Sequence, residues 1–125
     1  MFDNKMIVED SLRSDADGFS FEARLPYYRG LGLSMVEDVG VVVDGEPVAR
    51  GDVRVTLRGR TWTLDEMERE YGDRWNFGEK ATVSVRRPGG LQPGEHRIEL
   101  AERLRISYLP FVPTTKDAKT LTLAA

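Results

Sequence analysis

The chain has 125 residues, of which 40% are hydrophobic and 31% charged, so its size and apolar content fit a single domain. It has no cysteine, which excludes disulfides, thiolate metal sites and a cysteine nucleophile, and no apolar run approaches the length of a membrane span. Basic and acidic residues are mixed along the chain at a net charge of −3, which argues against binding of nucleic acid or a membrane surface. Since the N-terminus does not resemble a signal segment, we expect a cytoplasmic protein.

Alternation of apolar and polar residues, typical of half-buried strands, is the dominant pattern. The first clear strand covers residues 18–25 and ends at Pro26. Residues 39–43 then run into Asp44-Gly45, a strong hairpin signal, and a second hairpin turn is predicted at residues 58–60. Residues 81–86 alternate again before the breaker at residues 88–90.

The longest predicted strand follows Pro93-Gly94. Its even positions from Ile98 to Tyr108 are apolar except at Glu102, where we expect a bulge or a buried pairing. One short helix is predicted over residues 64–70, because Thr63 can cap it and Glu66 stands at the third helical position.

Seven or so short strands separated by glycine and proline predict an all-β fold, an antiparallel β-sandwich with one short helix. We expect residues 1–109 to form this β-sandwich domain. Residues 110–125 are expected to be a C-terminal tail, either a final edge strand or a segment ordered by a partner.

Few residues of this chain are candidates for catalysis. The one histidine, His96, is interpreted as a structural imidazole whose ring points away from the core, the alternative being a catalytic or metal-binding role. Carboxylates occur at residues 9–10, 37–38 and 66–70, but their spacings do not converge on one face, so we interpret them as solvated charge. The sequence predicts no catalytic, cofactor-binding or metal-binding residue.

Two loops combine aromatic side chains with arginine. Tyr27, Tyr28 and Arg29 lie in the first loop, and Trp75 and Phe77 lie in the second. Because tyrosine, tryptophan and arginine are enriched at interface hot spots, we predict that these five residues contact a partner. The alternative is that Trp75 and Phe77 fill the end of the sandwich core while Tyr27 and Tyr28 cover the sheet edge.

Several motifs occur together in this sequence. The most specific part is the combination of Pro-Tyr-Tyr-Arg-Gly-Leu at residues 26–31 with Val-Asp-Gly at residues 43–45. The other motifs are Trp-Asn-Phe-Gly at 75–78, Pro-Gly-Gly-Leu at 88–91, Gly-Glu-His at 94–96 and Arg-Ile-Ser-Tyr at 105–108. In this combination the chain resembles the small β subunit of bacterial C-glycoside deglycosidases. The resemblance covers about residues 7 to 108 and leaves the tail uncovered.

The resemblance implies a division of labour between two subunits. In that family a larger α subunit, with a TIM-barrel fold like that of sugar-phosphate isomerases, holds a divalent metal ion, Mn²⁺ or Mg²⁺, and the acid and base residues. The β subunit is a β-sandwich bound to it. The complex is a carbon–carbon lyase that cleaves flavonoid or anthraquinone C-glycosides already oxidised at the sugar C3, so this chain alone would be inactive and would carry no cofactor.

A second function is compatible with the residues. The chain could be a free-standing β-sandwich module that binds carbohydrate or aryl glycosides through Tyr27, Tyr28 and Trp75, since aromatic faces stack on sugars and aryl rings.

Overall fold

Alternating apolar residues form eleven strands within the part of the chain that the structure describes. This computed structural model describes residues 5–15, 17–26, 30–76, 78–105, 110 and 112–123. The strands are β1 (Arg13–Asp15), β2 (Gly18–Ala23), β3 (Leu31–Gly32), β4 (Val36–Val43), β5 (Glu46–Pro47), β6 (Val53–Leu57), β7 (Arg60–Thr63), β8 (Arg74–Trp75), β9 (Ala81–Arg86), β10 (Gly94–Leu104) and β11 (Thr114–Leu123).

These strands form three antiparallel sheets. The five-stranded sheet has the order β1-β2-β9-β6-β7, the four-stranded sheet has the order β11-β10-β4-β5, and β3 pairs with β8 alone. Alternate residues of both larger sheets enter one hydrophobic core, including Phe19 and Phe21 from β2 and Ile98 and Leu100 from β10. The all-β, sandwich-like fold class predicted from the sequence is therefore confirmed.

Both predicted hairpins form, and their turns use left-handed backbone. Asp44 and Gly45 have φ of +50° and +83°, and they connect β4 to β5. Arg58 and Gly59 have φ of +49° and +82°, and they connect β6 to β7. Two consecutive residues with positive φ match the right-handed twist of the flanking strands, which is why these turns favour glycine.

The predicted helix is a single turn, α1 (Leu64–Met67). Thr63 accepts a bond from the Glu66 amide, and the Glu66 carboxylate accepts one from the Thr63 amide, so the predicted capping box is confirmed. Leu64 and Met67 are buried and fix α1 to the core. Short 3₁₀ turns occur at Leu33–Met35 and Arg50–Asp52. Among the described residues, no helix is long and apolar enough to cross a membrane.

The longest strand, β10, carries a fully buried glutamate on its inward face. Ile98, Leu100 and Leu104 are buried as predicted, whereas Ile106 and Tyr108 lie outside the described residues. Glu102 is 0% exposed, and neither carboxylate oxygen has a hydrogen-bond partner among the described residues. The expected buried pairing is therefore not found among the described residues. Directly after Glu102, between Arg103 and Leu104, the pairing register of β10 with β4 shifts.

The C-terminal strand closes one side of the sandwich. β11 pairs with β10 along its whole length and lies at the edge of the four-stranded sheet, which is the edge-strand alternative predicted for this tail. Its Asp117 accepts a bond from the Ile7 amide at 3.0 Å, and Lys119 donates to the Ile7 carbonyl at 2.7 Å. Ile7 in turn bridges to Ala23 of β2, so the first described residues connect the two sheets.

Candidate functional site

The two loops singled out in the sequence are joined by the small β3–β8 sheet. Leu31 is paired with Trp75 and Gly32 with Arg74, although these residues lie far apart in the chain. The Arg74 guanidinium also donates to the Gly30 carbonyl at 3.0 Å. The surface formed by residues 30–33, 70–76, 78 and 79 is called the loop junction below, and it is the candidate partner-binding site.

Trp75 anchors the loop junction from beneath. Its side chain is 0% exposed, and its indole Nε1 donates to the Glu79 carbonyl at 2.8 Å. Core filling, the alternative predicted for Trp75, is confirmed. Since neither face of the ring is accessible in the chain, Trp75 offers no platform on which a sugar or aryl ring could stack. Its contact with a partner stays a prediction.

The other four predicted contact residues lie outside the described part of the chain. They are Tyr27, Tyr28 and Arg29 in the first loop and Phe77 in the second. Their contact with a partner also stays a prediction.

Arg58, in the β6–β7 turn, holds one side of the loop junction. Its guanidinium forms ion pairs with Asp73 and Glu79 and donates to the Arg74 carbonyl at 2.7 Å. The Arg74 amide and Arg58 both donate to the Asp73 carboxylate, which lowers the pKa of Asp73. A single exposed ion pair contributes little stability, but several bonds from one planar guanidinium fix the position of the loop.

Arg60 holds the neighbouring part of the loop junction. It pairs with Glu70 at 2.9 Å and with Asp73 at 3.2 Å, and it lies 4.9 Å from the centre of the Trp62 ring. The Trp62 indole donates to Glu70 at 3.1 Å, and the Gly72 amide adds a second bond. These two bonds, together with Arg60, lower the pKa of Glu70 and keep it ionised.

Tyr71 projects from this braced loop into solvent. Its side chain is 83% exposed, and it is the only large hydrophobic residue that is exposed among those the structure describes. Tyrosine is enriched at the centres of protein interfaces, so Tyr71 joins the candidate partner-binding residues. The sequence predicted partner contact in this loop through Trp75 and Phe77 but did not single out Tyr71. The available signal was a tyrosine followed by glycine within a charged loop, where no apolar period predicts burial.

His96 is held by hydrogen bonds at both ring nitrogens. Nδ1 lies 2.6 Å from an Asp44 carboxylate oxygen, and Nε2 lies 2.6 Å from the Gln92 carbonyl oxygen. Both partners are acceptors, so only the doubly protonated ring donates to both, and these bonds raise the pKa of His96. The bond from His96, followed by one from the Arg97 amide, lowers the pKa of Asp44.

The orientation expected for His96 is wrong. The ring does not point away from the core, because residue 96 shares its strand face with Ile98 and Leu100. It lies at the rim of the sandwich with a side chain that is only 12% exposed.

Several of the carboxylates interpreted as solvated charge form ion pairs instead. Arg50 bonds Asp38 at 2.8 Å and Glu68 at 2.8 Å, and Arg103 bonds Glu37 at 3.2 Å. Within the described ranges, no three His, Asp or Glu side chains converge where they could hold a metal ion.

Comparison with known proteins identifies the family. The family described as C-glycoside deglycosidase beta subunit matches residues 2–108. A 3'-dehydrocarminate deglycosidase beta subunit from Microbacterium sp. is 39% identical over 111 residues, covering 88% of this chain and 83% of that protein. A C-glycoside deglycosidase beta subunit from Eubacterium cellulosolvens is 33% identical, and the match covers 74% of this chain and 63% of that protein. A C-glycoside deglycosidase beta subunit from Arthrobacter globiformis is 28% identical, and the match covers 88% of this chain and 84% of that protein. This chain therefore belongs to the family of C-glycoside deglycosidase beta subunits.

Proposed function

We propose that this chain is the small, non-catalytic subunit of a hetero-oligomeric C-glycoside deglycosidase. Its large α subunit, a TIM barrel, would carry the acid and base residues. The observation that carries the non-catalytic assignment is the environment of His96, because both ring nitrogens are engaged by Asp44 and Gln92. A general base needs a free nitrogen within reach of the substrate proton, and this ring has none in the described structure.

The reaction proposed for the complex is cleavage of the carbon–carbon bond of a C-glycoside oxidised at the sugar C3. A ketone at C3 acidifies the C2 proton, so a base can remove it. The C1–aryl bond then breaks, a C1–C2 double bond forms, and the aryl carbon takes up a proton. The divalent ion, Mn²⁺ or Mg²⁺, is assigned to the α subunit, since the described carboxylates of this chain do not fit a metal site.

The loop junction is the proposed contact with the α subunit. Tyr71 supplies an exposed aromatic side chain on a loop fixed by Arg58 and Arg60, so little conformational entropy would be lost on binding. In the sequence, Tyr27, Tyr28 and Arg29 precede β3, and Phe77 follows β8. These residues, with Trp75 as the buried support, are proposed to form one contact surface.

The test of the proposal is reconstitution. The purified chain, the α subunit from the same organism and the mixture of the two would each be incubated with 3′-dehydrocarminate, the compound in the name of the Microbacterium relative, in the presence of Mn²⁺. We expect turnover by the mixture and none by this chain alone. Turnover by the isolated chain at the rate of the complex would overturn the non-catalytic assignment.

The binding-module alternative has a separate test. Titration calorimetry of the isolated chain with the same C-glycoside and with its free aglycone should show no binding. Micromolar binding by a chain that does not associate with the α subunit would favour the binding module instead.

A further inference from the structure

The outward faces of the two large sheets differ in chemistry. The five-stranded sheet presents polar side chains on its outer face, with Ser20 and Glu22 on β2, Thr82 and Ser84 on β9, and Arg54 and Thr56 on β6. Such a face is well solvated and needs no cover.

The four-stranded sheet instead presents small and apolar residues at its centre. Gly40 and Val42 of β4, Ala101 of β10 and Ala118 of β11 occupy outward positions, and Gly40 is paired directly with Ala101. Because Gly40 and Ala101 carry little or no side chain, the face is concave there, and Pro47 and Val48 form one wall of a depression of about 430 Å³. That volume falls within the range of sites that take up a ligand or an inserted side chain.

Two opposite charges lie beside this depression, and neither is paired within the described part of the chain. Glu99 and Lys116 both line it, and neither forms an ion pair with another residue of the described chain. By contrast, Arg103 at the far end of the same face is paired with Glu37. Glu99 and Lys116 are therefore available to a partner that brings one basic and one acidic side chain.

The strand that carries Gly40 begins next to the loop junction in the chain. β4 begins at Val36, only a few residues after β3 ends at Gly32. The Arg105 guanidinium, just beyond β10, donates to the Ser34 carbonyl at 3.1 Å between the two strands. The ion pairs of Glu37 with Arg103 and of Asp38 with Arg50 lie at this end of β4, so a partner that covers both surfaces would also cover these charged side chains.

We propose that the outer face of the four-stranded sheet docks the large subunit of the complex, which inserts a bulky apolar side chain over Gly40 and Ala101. The inserted side chain is flanked by a basic group opposite Glu99 and an acidic group opposite Lys116. A second copy of this chain is a poor occupant, since two concave faces with small residues at their centres leave a void between them. This inference rests on the proposed function, because it requires an α subunit.

The test uses two substitutions that change the depression by different means. Ala101→Arg places a charged side chain in it. Gly40→Leu fills it, and the backbone of Gly40 admits a side chain because the nearest atoms to a Cβ there lie 3.7 Å away. The matched control is Ser84→Arg, at an outward position of the five-stranded sheet. Thermal unfolding of each variant establishes that it is folded before its affinity for the α subunit is measured.

We expect Ala101→Arg and Gly40→Leu each to weaken assembly by at least about 30-fold, with Ser84→Arg within about threefold of the wild type. If either substitution prevents folding, Ala118→Arg on the exposed edge strand replaces it. Assembly of the folded variants at wild-type affinity would overturn the proposal while leaving the proposed function intact. If the wild-type chain never binds the α subunit, both fail. A wild-type homodimer that Ala101→Arg converts to a monomer would assign the face to a second copy instead.

Discussion

Glu102 and Asp117 face the core from neighbouring strands, and only one of the two carboxylates is compensated. Asp117 lies diagonally across from Glu102 on β11 and accepts bonds from the Ile7 amide and from Lys119. Glu102 has no hydrogen bond to any described residue. Burial, reinforced by the charge of Asp117, raises the pKa of Glu102 well above its ordinary value. Glu102 is therefore a destabilising group that becomes costlier as the pH rises.

Glu102→Gln should stabilise the chain, and more so at higher pH. The folded protein keeps a proton on Glu102 at a pH where the unfolded chain has lost it, so wild-type stability falls as the pH rises above about 4.5, the ordinary pKa of the carboxyl. Glutamine resembles the protonated form and removes this loss. We expect a gain of roughly 1–3 kcal/mol in unfolding free energy at pH 8 and a smaller gain at pH 5, measured by urea denaturation.

The control for this prediction is Glu99→Gln, at an outward position of the same strand. It should change stability by less than about 0.5 kcal/mol at either pH. An equal gain from Glu102→Gln at pH 5 and pH 8 would contradict a raised pKa for Glu102.

Asp44→Asn should remove a pH-dependent contribution that Asp44 and His96 make together. The raised pKa of His96 contributes stability that is complete below its unfolded value of 6.5 and is lost as the pH rises through the folded value. The lowered pKa of Asp44 contributes stability above pH 3.8, the ordinary pKa of the carboxyl. This stability is lost as the pH falls through the folded value. Because Asp44 is half exposed, we expect a cost of up to about 1 kcal/mol near pH 5–6 that shrinks by pH 9.

Denaturation at these pH values and NMR titration of the His96 ring would measure both effects. Asp10→Asn is the control, since Asp10 has a similar left-handed backbone, with φ of +58°. A His96 pKa that does not fall in Asp44→Asn would contradict the pairing.

His96→Gln should leave the chemical step of the reconstituted complex unchanged. Glutamine keeps one donor and one acceptor, so a bond to Asp44 or to the Gln92 carbonyl is retained while proton transfer near neutral pH is lost. We would measure kcat at saturating substrate and confirm assembly by size-exclusion chromatography. A loss of about a hundredfold or more in an intact complex is the scale of a missing general acid or base, and it would place His96 in the active site.

Tyr71→Ala should weaken binding to the α subunit without affecting the fold. The ring is almost fully exposed, so its removal should change the unfolding free energy by no more than about 0.5 kcal/mol. As an interface residue it should cost roughly 1–3 kcal/mol of assembly free energy, measured by titration calorimetry. The exposed Arg69 offers a nearby control, Arg69→Ala. Equal affinities for the two variants would remove Tyr71 from the interface.

The double substitution Tyr28→Ala with Arg29→Ala tests the first loop separately. Two such side chains at an interface should together weaken assembly by at least tenfold, visible as loss of co-purification with the α subunit. Arg13→Ala, on the exposed strand β1, serves as the comparison. Undiminished co-purification of the double variant would exclude this loop from the contact.

Local features of this fold were readable from the sequence because neighbouring residues determine them. Asp44-Gly45 and Arg58-Gly59 form the predicted turns, since their positive φ values suit a two-residue hairpin. Thr63 and Glu66 cap α1 through bonds between residues three apart. The inward face of β10 follows from the alternation of a strand, and the same rule places His96 on that face, contrary to what we expected.

Relationships between distant residues were decided only by the tertiary structure. Two examples are the strand pairing of Leu31 with Trp75 and the ion pair of Arg58 with Asp73. Both depend on strands that meet through long-range packing, and no local sequence period predicts such contacts. The same holds for Glu102, where the sequence indicated an interruption of an apolar face but not whether a donor would be near. By itself the sequence determined an all-β fold, its turns and its family resemblance. The joining of the loops, the unpaired carboxylate and the concave sheet face follow from which strands become neighbours, because a side chain's partners are set by the packing of the whole chain.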